Sequence, residues 1–198
     1  MQIDLLLHQG MGASCIFAPM PTLSTRQLAQ RLERLEKEEL VQEILKICAR
    51  FREAKQYCQM EYGDAPHQEA LLAAFKEKIF KHFFPERRSR RHRARTSRLR
   101  KITGDFKKIA VFPHHLADVL LYWPEQAVMY LDQRGYVKDT FFPPTVTAFE
   151  EACQLIADNE LHDYFRERIE NLLQSAGALR GRQDFAAALS AAAARIGY

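Results

Sequence analysis

The chain has 198 residues, of which 47% are apolar and 27% charged, with a formal net charge of +4. This length and apolar content allow one sizeable core and exclude global disorder, while eight glycines and eight prolines are too few for a turn-dense β-sandwich or barrel. No apolar run approaches the roughly 18 residues that a membrane-spanning helix needs, so we predict no membrane partner. The four cysteines form no Cys-x-x-Cys pair, which favours a reducing, cytoplasmic location.

The first residues differ in pattern from the rest. Residues 1–19 read MQIDLLLHQGMGASCIFAP, without the basic start and continuous apolar stretch of a secretory signal. Regular helical patterning begins at Met20. We therefore expect residues 1–21 to be a poorly ordered extension, which an upstream start codon would explain, and residues 22–198 to form a single helical domain.

From there apolar residues recur with a period near 3.6, which predicts a single compact all-α domain of seven or eight helices. Ser24 caps the first helix. The second is predicted to be long and unbroken, with one apolar face formed by Leu40, Ile44, Ile47, Phe51, Ala54 and Cys58. In chain order, the second to eighth helices cover about residues 37–62, 66–84, 97–110, 114–133, 147–159, 161–175 and 184–196.

Several details of these helices can be tested. The core should be built around the long second and fifth helices, and Pro124 should kink or split the fifth. Thr147 and Glu150 have the spacing of a capping box at the start of the sixth. Cys48 and Cys58 fall about 80° apart around the second helix, so we interpret them as packing thiols.

Most of the positive charge lies in one short segment. Residues 87–101 read RRSRRHRARTSRLRK and contain eight arginines, one lysine and no acid. Residues 1–86 carry a net charge of −1 and residues 102–198 a net charge of −4. The basic character is therefore local, and residues 87–96 are either a basic linker or the start of the fourth helix.

On a helical wheel the fourth helix is a basic amphipathic helix. Its apolar face, which should dock on the core and bury Phe106, consists of Leu99, Ile102, Phe106 and Ile109. Its basic face consists of Arg100, Lys101, Lys107 and Lys108. Crowded cations repel one another, and cations near a helix N-terminus oppose the macrodipole. Stability therefore does not explain the basic face, whereas a bound polyanion would.

The composition of the segment indicates the kind of polyanion. Arginine outnumbers lysine eight to one, and guanidinium groups pair bidentately with phosphates and stack on bases. We predict a non-enzymatic protein that contacts RNA or DNA phosphates without sequence specificity, since no helix-turn-helix, zinc-finger or RNP-type motif is present. The predicted binding residues are Arg87, Arg88, Arg90, Arg91, Arg93, Arg95, Arg98, Arg100, Lys101, Lys107 and Lys108.

Other functions stay open at this stage. The same cations could dock an acidic surface of a partner protein, as in an adaptor, or could be neutralised by acids of their own chain. An uncharacterised hydrolase-like enzyme is a third hypothesis. His114 and Asp118 have the i, i+4 spacing of metal ligands, but no third ligand follows them. We therefore predict no catalytic residue, no metal site and no cofactor; the sequence does not determine the oligomeric state.

Four segments together resemble a known family: LSTRQLAQRLERLEKEELVQEILKI, FKEKIFKHFFPE, SRLRKITGDFKKI and LADVLLYWPEQAVMYLDQRG. They are similar to a bacterial family of short helical proteins known only as a domain of unknown function. The most specific part is the basic helix RKITGDFKK, followed by LADVLL. The resemblance covers residues 22–175 and implies an all-α fold, but it implies no catalytic residue and no ligand.

Overall fold

The structure, a computed structural model, describes residues 23–86, 94–134 and 137–198. The predicted extension, residues 1–21, therefore lies outside the described residues. The described ranges form α-helices and one short 3-10 helix, and they contain no β-strand, which confirms the all-α prediction. The helices are α1 (Thr25–Leu32), α2 (Lys37–Arg50), α3 (Arg52–Tyr62), α4 (Ala65–Phe83), α5 (Thr96–Lys107), α6 (Pro113–Arg134), α7 (Phe142–Asp158), α8 (His162–Gly177) and α9 (Gln183–Ala194). None of them combines the length and apolarity required to cross a membrane.

The chain divides into two compact units, residues 1–44 and 45–198. The described part of the first unit contains α1 and the first half of α2. Ser24 caps α1 as predicted: its Oγ accepts a hydrogen bond of 3.2 Å from the backbone N–H of Gln27. The side chain of Gln27 accepts in return from the backbone N–H of Ser24 at 3.0 Å, which completes a capping box.

In the second unit α6 is the central helix, as predicted for the fifth helix. It packs against α4, α5, α7 and α8. Its sequence is apolar around most of its circumference, which is typical of a helix buried on all sides, and Trp123 in its middle is 2% exposed. The helix continues through Pro124 without splitting. Pro124 leaves the carbonyl of Leu120 without its usual helical donor, and the surrounding helices hold the segment in place.

The long second helix predicted over residues 37–62 is in fact two helices. Phe51 separates α2 from α3 and has extended backbone angles, with φ −117° and ψ 116°. The prediction of a central second helix is also wrong, because α2 has no buried residue and α3 buries only Met60. The reason is that the apolar side chains of this segment face solvent: Val41, Ile44, Leu45, Ile47 and Phe51 are 46–58% exposed.

The start of α7 differs from the predicted capping box. The helix begins at Phe142, and prolines occupy its first turn, where a missing backbone N–H costs no hydrogen bond. Thr147 lies inside the helix, and its Oγ1 donates to the carbonyl of Pro143 at 3.0 Å. Glu150 instead forms an ion pair of 3.0 Å with Arg195, which follows α9.

A partly buried ion-pair network joins α4, α6 and α8. Asp118, which is 8% exposed, contacts the Nζ of Lys76 and the Nη1 of Arg168, both at 2.5 Å. Arg168 also holds both carboxylate oxygens of Glu125 at 2.9 Å. Asp118 is thus engaged by two cations. No group of three or more His, Cys, Asp or Glu side chains in the described ranges could hold a metal ion.

This network predicts that Arg168→Lys destabilises the protein. A lysine ammonium cannot reproduce the two-pronged contact with Glu125 while it also reaches Asp118. We expect the free energy of unfolding to fall by about 1.5–3 kcal/mol, the size of one charge-assisted hydrogen bond, measured by urea denaturation. The control Arg166→Lys alters an exposed pair 3.4 Å long with Asp163 and should cost less than about 0.5 kcal/mol. Equal losses in the two variants would contradict the prediction.

Candidate polyanion-binding surface

The basic helix α5 is docked on the core through its apolar face, as the helical wheel predicted. The buried side chains are 7% exposed at most and comprise Leu99, Ile102, Phe106 and, just after the helix, Ile109. The ring of Phe106 meets Phe75 of α4 edge to face, with the ring centroids 5.0 Å apart. The predicted burial of Phe106 is therefore confirmed. This docking determines which residues of α5 remain available to a ligand.

The start of α5 is attached to α4 by one side chain. The backbone N–H of Arg95 donates to Nε2 of His82 at 2.8 Å. Arg95 precedes the helix in an extended conformation and supplies no side-chain cap, and the first turn contains no acid. The cations Arg95 and Arg98 therefore lie at the positive end of the helix dipole, where an anion would be stabilised.

Two cations of the predicted site are already paired within the chain. The Nζ of Lys107 lies 2.5 Å from Oε1 of Glu151 in α7. Lys108 lies 3.6 Å from Asp105, one turn before it. An incoming phosphate would have to compete with these carboxylates for Lys107 and Lys108.

The opposite flank of α5 lies beside other positive charges. The pKa of Lys78 in α4 is lowered, first by partial burial and then by the nearby charges of Arg52 in α3 and Arg98 in α5, while Asp105 acts in the other direction. None of these three cations forms an ion pair with a carboxylate in the part of the chain that the structure describes. Three helices thus bring like charges together, and the nearby carboxylate of Asp105 acts on Lys78 without forming an ion pair with it.

We name this cluster the basic surface and define it as Arg52, Lys78 and Arg98, with Lys101 one turn after Arg98. Lys78 is held in place because its Nζ lies over the ring of Phe75, 3.7 Å from the centroid. Phe75 is the same residue that packs on Phe106. The aromatic contact that docks α5 therefore also supports the position of Lys78.

The structure places the predicted binding residues in three groups. Exposed residues on or just before α5 comprise Arg95, Arg98, Arg100 and Lys101. Lys107 and Lys108 are also exposed but belong to the pairs described above. Arg87, Arg88, Arg90, Arg91 and Arg93 lie outside the described residues.

Sequence reasoning missed two residues of the basic surface, Arg52 and Lys78. Each stands alone among mixed charges on its own helix, and they are 26 and 20 residues from the next member of the cluster along the chain. No local pattern connects them with Arg98. Only the packing of α3 and α5 against α4 does so.

A family model described as "Family of unknown function (DUF6155)" matches residues 23–189. The match covers most of the chain and confirms the resemblance to a family of unknown function. It includes the whole basic surface. No curated protein and no solved structure matches the chain.

Proposed function

We propose that this chain, which belongs to the family of unknown function DUF6155, is a non-enzymatic protein that binds the phosphates of RNA or DNA through the basic surface. The observation that carries the proposal is the convergence of Arg52, Lys78 and Arg98 from three helices, with no ion pair between any of them and a carboxylate in the described ranges. We place this activity in the cytoplasm, because the cysteine pattern is typical of a reducing compartment.

The electrostatics of the cluster support a ligand that carries several negative charges. Like charges held close together destabilise the folded state, and the pKa of Lys78 is lowered first by partial burial and then by the charges of Arg52 and Arg98, against the opposing effect of Asp105. A row of phosphates would relieve this repulsion at several positions at once. Two of the three cations are arginines, whose planar guanidinium groups match phosphate oxygens bidentately.

The arginines that precede α5 extend the proposed contact. Five of them, within residues 87–93, come immediately before Arg95 in the chain. Together with the exposed cations of α5 they provide enough charge for a salt-dependent interaction with a nucleic-acid backbone. Phosphate contacts of this kind carry no sequence information, so we propose binding without sequence specificity.

The proposal is tested by titrating fluorescently labelled oligonucleotides of increasing length with nuclease-treated, purified protein. Affinity should rise with length, because a phosphate lattice offers more overlapping sites, and should fall steeply with salt. A polyglutamate of matched charge serves as the competitor. Equal or tighter binding of polyglutamate, without a length effect on the nucleic acid, would favour docking of an acidic partner protein instead. No binding of the oligonucleotides at low salt would overturn the proposal.

The two flanks of α5 are expected to contribute differently. In the double variant Lys107→Gln/Glu151→Gln a cation and its own carboxylate partner are removed together, so the net charge is unchanged. We expect oligonucleotide affinity to stay within about threefold of the unsubstituted protein, less than 1 kcal/mol. Fluorescence anisotropy under identical salt provides the comparison. A tenfold loss would place the contact on the α7 side of α5, away from the basic surface.

A further inference from the structure

Two cysteine thiols that are ten residues apart in the sequence lie in contact near the break between α2 and α3. In an unbroken helix, Cys48 and Cys58 would be about 15 Å apart along the axis. Because the helix is interrupted at Phe51, their Sγ atoms lie 3.4 Å apart. Both side chains are half-buried. The expected separation of these residues around one unbroken helix is therefore wrong.

We propose that Cys48 and Cys58 are a modification site at which a hydroperoxide forms a reversible intrachain disulfide. A disulfide bond is about 2.05 Å long, so the two sulfur atoms must approach by little more than 1 Å. Cys48 lies in the last turn of α2 and Cys58 near the middle of α3, so a small adjustment of either side chain or of the junction at Phe51 could bring the two thiols together. Half-burial leaves room for a small oxidant to reach them.

The reaction has two steps. The thiolate of one cysteine attacks the terminal oxygen of the hydroperoxide; the O–O bond breaks, an alcohol or water leaves, and a sulfenic acid forms. The sulfur of the second cysteine then attacks the sulfenic sulfur, the S–O bond breaks, and the oxygen leaves as water with the proton of the second thiol. The two thiols are oxidised by two electrons and the peroxide is reduced by two. A dithiol reductant reverses the change by thiol–disulfide exchange.

The surroundings predict how the reaction depends on pH. The pKa of Cys58 is raised, first by its side-chain hydrogen bond with Cys48 and then by burial. Formation of the disulfide should therefore accelerate as pH rises above neutrality, because the thiolate is the reactive form. Cys153 is an internal control: it is 2% exposed, and burial raises its pKa to about 12. It should stay reduced under conditions that oxidise the pair.

The test uses the full-length protein with Cys15→Ser, because Cys15 lies outside the described residues. The protein is treated with a small excess of hydrogen peroxide, and its intact mass is measured before any label is added. It is then unfolded in urea, its unreacted thiols are blocked with N-ethylmaleimide, and its tryptic peptides are measured. We expect a loss of about 2 Da, the two thiol hydrogens, and a link between the fragments 47–50 and 56–76 that dithiothreitol removes. Cys153 should carry the label.

Matched variants separate this site from general oxidation. Cys48→Ser and Cys58→Ser should each abolish the 2 Da product, whereas Cys153→Ser should form it as efficiently as the parent. The proposal is overturned if both Cys48 and Cys58 of the parent remain fully labelled after peroxide treatment. It is equally overturned if they reach sulfinic acid without a link, or are joined only between two chains. Peptide mapping of the parent decides these outcomes even if a serine variant folds poorly.

Discussion

The variant Arg52→Gln/Lys78→Gln/Arg98→Gln is expected to bind a single-stranded oligonucleotide roughly 100-fold more weakly than the unsubstituted protein. Each substitution removes one cation from the basic surface, and each lost phosphate contact should cost at least about 1 kcal/mol. The loss of affinity should be similar for all oligonucleotide sequences, because the contacts are made to the nucleic-acid backbone. Fluorescence anisotropy at a single, low salt concentration measures the effect.

The same variant should remain folded. Its three cations have no ion pair with a carboxylate in the described ranges, so their removal strands no buried acid. Replacing all three cations also removes their mutual repulsion, and urea denaturation should show an unchanged or slightly higher free energy of unfolding. Unfolding of the variant would mean that these cations are needed by their own chain, which would favour the intramolecular interpretation.

A second triple variant controls for net charge. Lys138, Arg166 and Arg180 are exposed and lie outside α3, α4 and α5. Their replacement by glutamine removes the same formal charge as the first variant. Its affinity should fall only severalfold, through the weaker general attraction between protein and nucleic acid. Equal losses in the two variants would show that binding follows net charge and not the basic surface.

The second large effect is expected from Phe106→Ala, which should lower the free energy of unfolding by about 3–5 kcal/mol. Phe106 is fully buried, and its ring packs edge to face on Phe75. Its removal leaves a cavity between α4 and α5 and also forfeits the aromatic pair. Urea denaturation followed by circular dichroism gives the free energy directly.

An exposed aromatic provides the comparison for this variant. Tyr62 at the end of α3 is 79% exposed, so Tyr62→Ala should cost less than about 0.5 kcal/mol. If Phe106→Ala cost as little, α5 would not be docked through its apolar face. Because Phe75 supports both Phe106 and Lys78, that result would also remove the structural basis of the basic surface.

The features of the fold that could be predicted are those that depend on a local sequence pattern. The apolar period of α5 correctly placed Phe106 inward, and the length of the predicted fifth helix correctly indicated that α6 is central. The prediction for α5 succeeds because α4 and α6 cover its apolar face, whereas the equally periodic apolar face of α2 lies exposed. The Ser24 cap succeeds because its partner Gln27 is only three residues away.

The features that were not predicted depend on residues distant in sequence, or on an interruption of a helix that no local sequence signal marks. No glycine or proline lies between residues 37 and 62, so nothing in the sequence marks the break at Phe51. The meeting of Cys48 with Cys58 depends on that break. Thr147 and Glu150 matched a capping-box pattern, but prolines upstream let the helix begin earlier.

In the candidate site, too, local patterns could be predicted from the sequence and contacts between distant residues could not. The arginine-rich segment is visible as composition, and the inward face of α5 is visible as periodicity. The sequence does not reveal that Lys107 is paired with Glu151, 44 residues away, or that Arg98 lies near Lys78 and Arg52. These relations come from the packing of α5 against its neighbours. They shift the centre of the proposed contact from the flank of α5 that carries Lys107 to the flank that carries Arg98.

The central claim, that the basic surface contacts phosphates, is tested most directly by the salt dependence of binding to duplex DNA. For the unsubstituted protein and the variant Arg52→Gln/Lys78→Gln/Arg98→Gln, the logarithm of the association constant is plotted against the logarithm of the salt concentration. If each cation contacts one phosphate, the magnitude of the slope should fall by about 2–3 in the variant, at roughly 0.9 per lost contact. Two parallel lines would show that these three side chains contact no phosphate, and would contradict the claim.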